Sequence, residues 1–123
     1  MNTTIRALLC IALLATYSSC IPIGSVRKKE DFGLPDKIFF PKEGGERIYF
    51  AKKRIWARTT NSFIRTYYDD KGFYCVEYEW LTVRTKDEIL IVKVEPAPDE
   101  SQRCVRIECE TNYRYQEIFI YQN

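Results

Sequence analysis

The 123-residue chain contains no histidine, so it lacks the side chain that most often transfers protons near neutral pH. It also has no Gly-rich phosphate-binding loop and no Gly-x-Ser-x-Gly nucleophile motif. Its 19 basic and 17 acidic residues nearly balance, which gives no electrostatic reason to bind nucleic acid. We therefore expect a protein that is not an enzyme, needs no cofactor and binds no nucleic acid.

No apolar run is long enough to cross a bilayer, which requires about 20 residues. The longest run, residues 7–15, follows Arg6 and is followed by small and polar residues up to Cys20. This arrangement predicts a secretory signal. The stretch ATYSSC resembles a bacterial lipobox, with Tyr17 where Leu, Val or Ile is commoner. The resemblance implies that residues 1–19 are a cleaved signal peptide and that Cys20 carries a lipid anchor.

Three cysteines, Cys75, Cys104 and Cys109, lie beyond the predicted anchor. An odd number in an exported protein leaves at least one thiol unpaired. Cys104 and Cys109 would point to opposite faces of a strand, so we do not expect them to pair with each other. Cys109 is in phase with Val105 and Ile107 and should pack as a small hydrophobic residue. A bridge from Cys75 to either of the others stays open. With no histidine and no Cys-x-x-Cys pair, a zinc site is not expected.

Residues 20–35 contain proline, glycine and charge without periodicity, which predicts a short tether after the anchor. From residue 36 onward, short strand-like runs alternate with turn signals such as PKEGG and DDKG. No window beyond the signal has a helical period. Seven or eight short strands predict an all-β sandwich over residues 36–123. The runs are KIFF, ERIYFAK, RIWARTT, FIRTYY, FYCVEYEW with WLTVRT, ILIVKV, RCVRIEC and QEIFIYQ.

Carboxylates occur in two patterns that could carry chemistry. Glu77 and Glu79 are two apart on one predicted strand face, about 7 Å between Cα atoms, a spacing compatible with glycoside hydrolysis. An exposed strand face is usually only solvated, so we favour that interpretation. Asp69 and Asp70 precede Lys-Gly and are expected to form the turn rather than hold a cation.

Aromatic residues are abundant, with 9 Tyr, 7 Phe and 2 Trp, and exposed rings are what carbohydrate-binding surfaces use. The strand phase of Trp56 and Trp80 points inward, so both are expected in the core. In ERIYFAK, Ile48 and Phe50 share one side and Arg47 and Tyr49 the other. The residues predicted to form a contact surface are four tyrosines: Tyr67, Tyr68, Tyr113 and Tyr115.

The order of these features resembles a known family. KIFFPKEGGERIYF followed by RIWAR, then WLTV, ILIVKVEP, CVRIEC and a final IFIYQ, is similar to BACON domains (Bacteroidetes-associated carbohydrate-binding, often N-terminal). The resemblance covers residues 36–123. It implies an immunoglobulin-like sandwich on an envelope lipoprotein that binds glycans or mucin. The expected location is the outer membrane, at its periplasmic face or at the cell surface. The alternative is a structural spacer or protein-interaction subunit of an envelope complex, without carbohydrate affinity.

Overall fold

The computed structural model describes residues 27–59 and 65–123, and within these ranges the chain forms ten β-strands and no helix. The predicted signal peptide and the lipidation site at Cys20 lie outside the described residues. Within the described ranges, no helix long and apolar enough to cross a membrane is found. The strands are β1 (Lys28–Lys29), β2 (Lys37–Phe40), β3 (Gly45–Phe50), β4 (Trp56–Thr59), β5 (Arg65–Tyr68), β6 (Tyr74–Tyr78), β7 (Leu81–Lys86), β8 (Ile89–Val94), β9 (Arg103–Thr111) and β10 (Arg114–Gln122).

The strands form two five-stranded sheets packed as a sandwich. The first sheet has the order β1-β10-β9-β4, and β2 also pairs with β10. The second sheet has the order β3-β8-β7-β6-β5. Strands β1 and β2 run parallel to β10 at its beginning and its end, and the other pairs are antiparallel. The predicted all-β sandwich is confirmed, with ten strands rather than seven or eight, because β1 is additional and a turn separates β6 from β7.

Alternation along the strands, most regular in β10, produces the core. In β10, Gln116, Ile118, Ile120 and Gln122 are buried while the residues between them are partly exposed. This period of two is what a strand requires when one face is packed and the other solvated. The apolar residues buried between the sheets are Ile38, Phe40, Ile55, Ala57, Trp80, Leu81, Val83, Leu90, Val92, Val94, Val105, Ile107, Cys109, Ile118 and Ile120.

The predicted tether is wrong over its described half, residues 27–35. Phe32 and Leu34 are buried in the core cluster. The Phe32 N–H donates to Gln116 Oε1 at 2.8 Å, and Gln116 Nε2 donates to the Leu34 carbonyl at 2.7 Å. The Lys28 N–H also donates to the Tyr113 carbonyl at 2.9 Å. The folded domain therefore includes the chain from Arg27, because two apolar side chains anchor a segment whose composition resembles a linker.

Strand β3 is an edge of the second sheet and exposes its apolar side. Ile48 and Phe50 share one face, as predicted, and that face is solvent-exposed. Tyr49 packs against the core from the other face. The Arg47 guanidinium, on the same side as Tyr49, lies 4.5 Å from the centre of the Phe40 ring. The sandwich thus closes over an aromatic ring at this edge and leaves two large apolar side chains outside.

Candidate ligand-binding groove

The β9–β10 hairpin carries an exposed tyrosine in an unusual backbone conformation. Thr111 pairs with Arg114, which leaves a two-residue loop with φ of 42° at Asn112 and 63° at Tyr113. Positive φ at both positions defines a type I′ turn, for which Asn-Gly is the preferred sequence. A residue with a Cβ atom costs roughly 1–2 kcal/mol in the left-handed region. Tyr113 nevertheless occupies the glycine position, and 61% of it is exposed.

Trp56 points outward from β4, so the prediction that it lies in the core is wrong. It is 42% exposed, whereas its neighbours Ile55 and Ala57 are buried. The side chains that point into the core from this edge of the sheet are therefore those of the smaller Ile55 and Ala57. Trp56 stands opposite Glu110 of β9, and the Arg54 guanidinium lies 5.6 Å from the centre of the indole ring.

Trp80 is buried, as predicted, at the turn between β6 and β7. The Arg103 guanidinium lies 4.5 Å from the Trp80 ring, and the Tyr78 ring meets it edge-on with centroids 6.5 Å apart. The two tryptophans therefore have different roles, and only Trp56 is available to a ligand.

Trp56 and Tyr113 line one groove of about 660 Å³, within the range typical of small-molecule sites. A shallower region of about 320 Å³ continues from it and shares Trp56 and Glu110. In this extension the Tyr68 and Tyr74 rings are 5.2 Å apart. We call the two regions together the aromatic groove. Its lining residues are Arg27, Trp56, Ala57, Arg58, Tyr68, Tyr74, Glu110, Thr111, Asn112, Tyr113 and Arg114.

An ion-pair network holds one wall of the aromatic groove. Arg27 Nη1 donates to Glu108 Oε2 at 2.5 Å and also to Glu110 Oε1. Arg58 Nη1 lies 3.3 Å from Glu110 Oε1. Burial of Glu108 would raise its pKa, but hydrogen bonds from Arg27 and Arg106 outweigh burial and hold that pKa below its usual value. The same hydrogen bond from Arg27 to Glu108 raises the pKa of Arg27. Glu108 and Arg27 therefore stay ionised near neutral pH, and the ion pairs with Arg27 and Arg58 hold Glu110 in a fixed orientation.

The structure brings two of the four predicted contact tyrosines into the aromatic groove. Tyr68 and Tyr113 line it. Tyr115 lies beside it, half-buried, with the Arg27 guanidinium 4.5 Å from its ring centre. Tyr67 faces away, because adjacent strand residues point to opposite sides of a sheet. Its hydroxyl donates to Glu77 Oε1 at 2.8 Å, which raises the pKa of Tyr67.

Two aromatic members of the groove, Trp56 and Tyr74, were not predicted from the sequence. The signal for Trp56 was its position between Ile55 and Ala57, which can fill the inward phase together. Tyr74 is in phase with the buried Val76 along β6, but it is only partly buried at the open end of the strand.

The carboxylates considered for catalysis or cation binding lie in ion pairs or in turns. Glu77 accepts hydrogen bonds from Arg65 and Tyr67, and these bonds lower its pKa. Glu79 lies in the turn after β6, with φ of 29°. Asp69 is a turn former, as predicted, because its Oδ1 accepts from the Lys71 and Phe73 N–H groups, each at 2.9 Å. Across residues 27–59 and 65–123, no group of three potential metal ligands is present.

Each of the described cysteines, Cys75, Cys104 and Cys109, has a free thiol. Cys109 is buried in the core, as predicted from its phase, and burial raises its pKa to about 12. Cys75 is also buried, on the outer face of the second sheet, and burial raises its pKa. Cys104 is exposed on β9. The bridge from Cys75 that the sequence left open is absent among these residues.

Comparison with known proteins adds information on the fold alone. No family model and no curated protein matches the chain. A solved structure described as "NMR structure of the protein from Bacteroides thetaiotaomicron" is similar with a TM-score of 0.53. The sequence identity is 16%, and the similarity covers 74% of this chain and 79% of that chain. At this identity, the comparison shows a shared architecture.

Proposed function

We propose that this protein is a non-enzymatic carbohydrate-binding lipoprotein of the cell envelope that holds glycans in the aromatic groove. The observation that carries the proposal is the joint exposure of Trp56 and Tyr113 along one groove. The apolar C–H faces of sugars pack on aromatic rings, and polar neighbours select the hydroxyl pattern. The aromatic groove offers both kinds of contact within one surface.

The polar groups beside the rings suit hydroxyl recognition. Glu110 can accept hydrogen bonds from sugar hydroxyls, and its ion pairs with Arg27 and Arg58 fix it before any ligand arrives. Such preorganisation reduces the entropy cost of binding. Trp56 pairs with Glu110 of β9, and Asn112 lies in the tight turn that the Thr111–Arg114 pair closes. The aromatic groove is therefore a rigid surface.

A glycan array with the full chain, kept soluble by a mild detergent, tests this proposal. Mucin O-glycans and plant polysaccharides should be included. We expect binding that disappears in Trp56→Ala and in Tyr113→Gly. The matched control is Phe50→Ala, because Phe50 is 72% exposed and lies on the other sheet. Folded protein that binds no glycan, or equal losses in all three variants, would contradict the proposal.

The membrane anchor and the membership of the BACON family are parts of the same proposal. The lipobox-like ATYSSC and the ordered strand motifs support them. We expect Cys20→Ala to abolish incorporation of labelled palmitate and to release the protein from membranes. Cys10→Ala, within the apolar run of the predicted signal, is the control and should leave both unchanged. Palmitate labelling that survives Cys20→Ala would refute the anchor at this residue.

A second candidate, a protein-interaction subunit of an envelope complex, is favoured by a different observation. Ile48 and Phe50 are exposed on β3, an edge strand of the second sheet. Exposed apolar edge strands commonly pair with another chain. A folded protein that binds no glycan, but whose co-purification with one envelope protein is lost in Phe50→Ala, would favour this function.

A further inference from the structure

Positive charge exceeds negative charge in the aromatic groove. Its lining includes three guanidinium groups, those of Arg27, Arg58 and Arg114, and one carboxylate, that of Glu110. The chain as a whole is nearly neutral, with a formal net charge of +2 from 36 charged residues. The excess in the groove is therefore local and does not follow from a generally basic surface.

Arg114 differs from the other two arginines in its lack of an acidic partner. Arg27 is paired with Glu108 and Glu110, and Arg58 with Glu110. Among the described residues, no carboxylate oxygen lies within 4.0 Å of the Arg114 guanidinium. Arg114 is exposed and immediately follows Tyr113 at the tip of the hairpin. Its charge is thus available to a ligand that rests on the Tyr113 ring.

We propose that the aromatic groove selects acidic glycans, with a carboxylate or sulfate group, and that Arg114 binds the acidic group. This inference rests on the proposed glycan binding. A guanidinium presents a planar pair of N–H donors that matches a carboxylate or sulfate in a bidentate manner. Tyr113 and Arg114 both line the aromatic groove, so the Tyr113 ring and the Arg114 guanidinium can contact one sugar and its substituent. The Asn112 amide lines the same groove and can donate to a second oxygen.

The electrostatics of the wall strengthen this preference. Glu108 is buried and neutralised by Arg27 and Arg106, so it presents little negative charge to a ligand. Glu110 is shared between Arg27 and Arg58. An acidic ligand therefore meets one carboxylate that is already ion-paired and the Arg114 guanidinium, which has no carboxylate partner in the described part of the chain. Because the contact is exposed, its strength should fall as salt concentration rises.

The test compares glycans that differ only in the acidic group: one oligosaccharide with and without sialic acid, and another with and without sulfate. Calorimetry with the full chain in mild detergent should show at least about tenfold tighter binding of the acidic member. Arg114→Gln should bring this ratio close to one, through weaker binding of the acidic member. Arg114→Lys should retain part of it. The matched control is Lys71→Gln, which removes one exposed charge from the β5–β6 turn, and it should retain the full ratio.

Each outcome has a distinct meaning. Equal affinity for acidic and neutral members would overturn the acidic preference and leave the proposed glycan binding intact. Equal losses of the ratio in Arg114→Gln and Lys71→Gln would overturn the role of Arg114, because net charge alone would then explain the effect. No binding of either member by folded protein would overturn both proposals. A preference for one acid type over the other would support the inference and identify the group that Arg114 binds.

Discussion

Replacing Tyr113 by glycine separates the energetic cost of its backbone conformation from the role of its ring. Tyr113 has φ of 63° at the second position of a type I′ turn, where glycine is the preferred residue. Its side chain is largely exposed, so little packing is lost when the ring is removed. We therefore expect Tyr113→Gly to abolish glycan binding without destabilising the domain.

The expected change in stability follows from two opposing contributions. Relief of the left-handed conformation favours the variant by roughly 1–2 kcal/mol. The greater backbone freedom of glycine in the unfolded chain opposes it by about 0.5–1 kcal/mol. The free energy of unfolding should consequently stay equal or rise by up to about 1.5 kcal/mol. For a domain of this size, each kcal/mol shifts the Tm by about 4–8 °C.

The matched variant is Tyr113→Ala, which removes the same ring but keeps a Cβ atom at positive φ. Urea denaturation should show that the glycine variant is more stable than the alanine variant by about 1 kcal/mol, while both fail to bind on the array. An alanine variant at least as stable as the glycine variant would refute the assigned turn conformation. A glycine variant that still bound glycans at full affinity would refute the role of the ring.

Three further predictions concern stability and reactivity. Gly44→Ala should lower the free energy of unfolding in urea by about 3 kcal/mol, because the added Cβ would lie 2.2 Å from a backbone oxygen. Gly72→Ala should lower it by only about 1 kcal/mol, because the nearest neighbour of its Cβ would be a flexible lysine side chain at 3.7 Å. Folding lowers the pKa of Glu108 from its ordinary value of 4.5. The stability that its ionised form contributes is therefore complete above pH 4.5 and is lost as the pH falls through the pKa of the folded state. Glu108→Gln should therefore lower the Tm at pH 7 and make the Tm fall less steeply as the pH is lowered into the acid range. A Tm that falls as steeply in the variant as in the parent protein would contradict this. Iodoacetamide at pH 8 should alkylate Cys104 and spare Cys109 in the native protein, as peptide mass spectrometry would show; rapid labelling of Cys109 would contradict its burial.

The strands were predictable where alternation and turn residues agree. QEIFIYQ alternates without interruption and became β10, and the Gly-Gly turn before β3 has positive φ at both glycines. Cys109 followed its phase into the core. These features depend on neighbours within a few residues, and their periodicity is visible in the sequence.

The N-terminal segment was not predictable, because its order depends on contacts more than 80 residues away. The Gln116 side-chain amide accepts from the Phe32 N–H and donates to the Leu34 carbonyl. Gln122 similarly donates to the carbonyls of Pro41 and Lys42. A buried glutamine has no signature of its own in a sequence, since glutamine is usually exposed.

The groove was only partly predictable for a related reason. The tyrosines of the polar hairpin tip were identified from their surroundings, and Tyr113 is indeed exposed. Trp56 was predicted to lie in the core because its strand phase indicated an inward side chain. On an edge strand beside β9, however, the small Ala57 fills the available space and the indole is excluded. Whether Trp56 or Ala57 points into the core depends on the spacing of the two sheets, which no local sequence pattern encodes.

Arg27 begins the described chain and also lines the aromatic groove, so its distance from Cys20 limits how far the groove can lie from the membrane. It is seven residues after Cys20 in the sequence, and a chain extends by at most about 3.6 Å per residue. With a lipid on Cys20, Arg27 would remain within about 25 Å of the membrane surface, a distance shorter than the hydrocarbon core is thick. The proposed receptor would then hold its groove within a thin layer beside the bilayer, and a glycan would have to enter that layer to be bound.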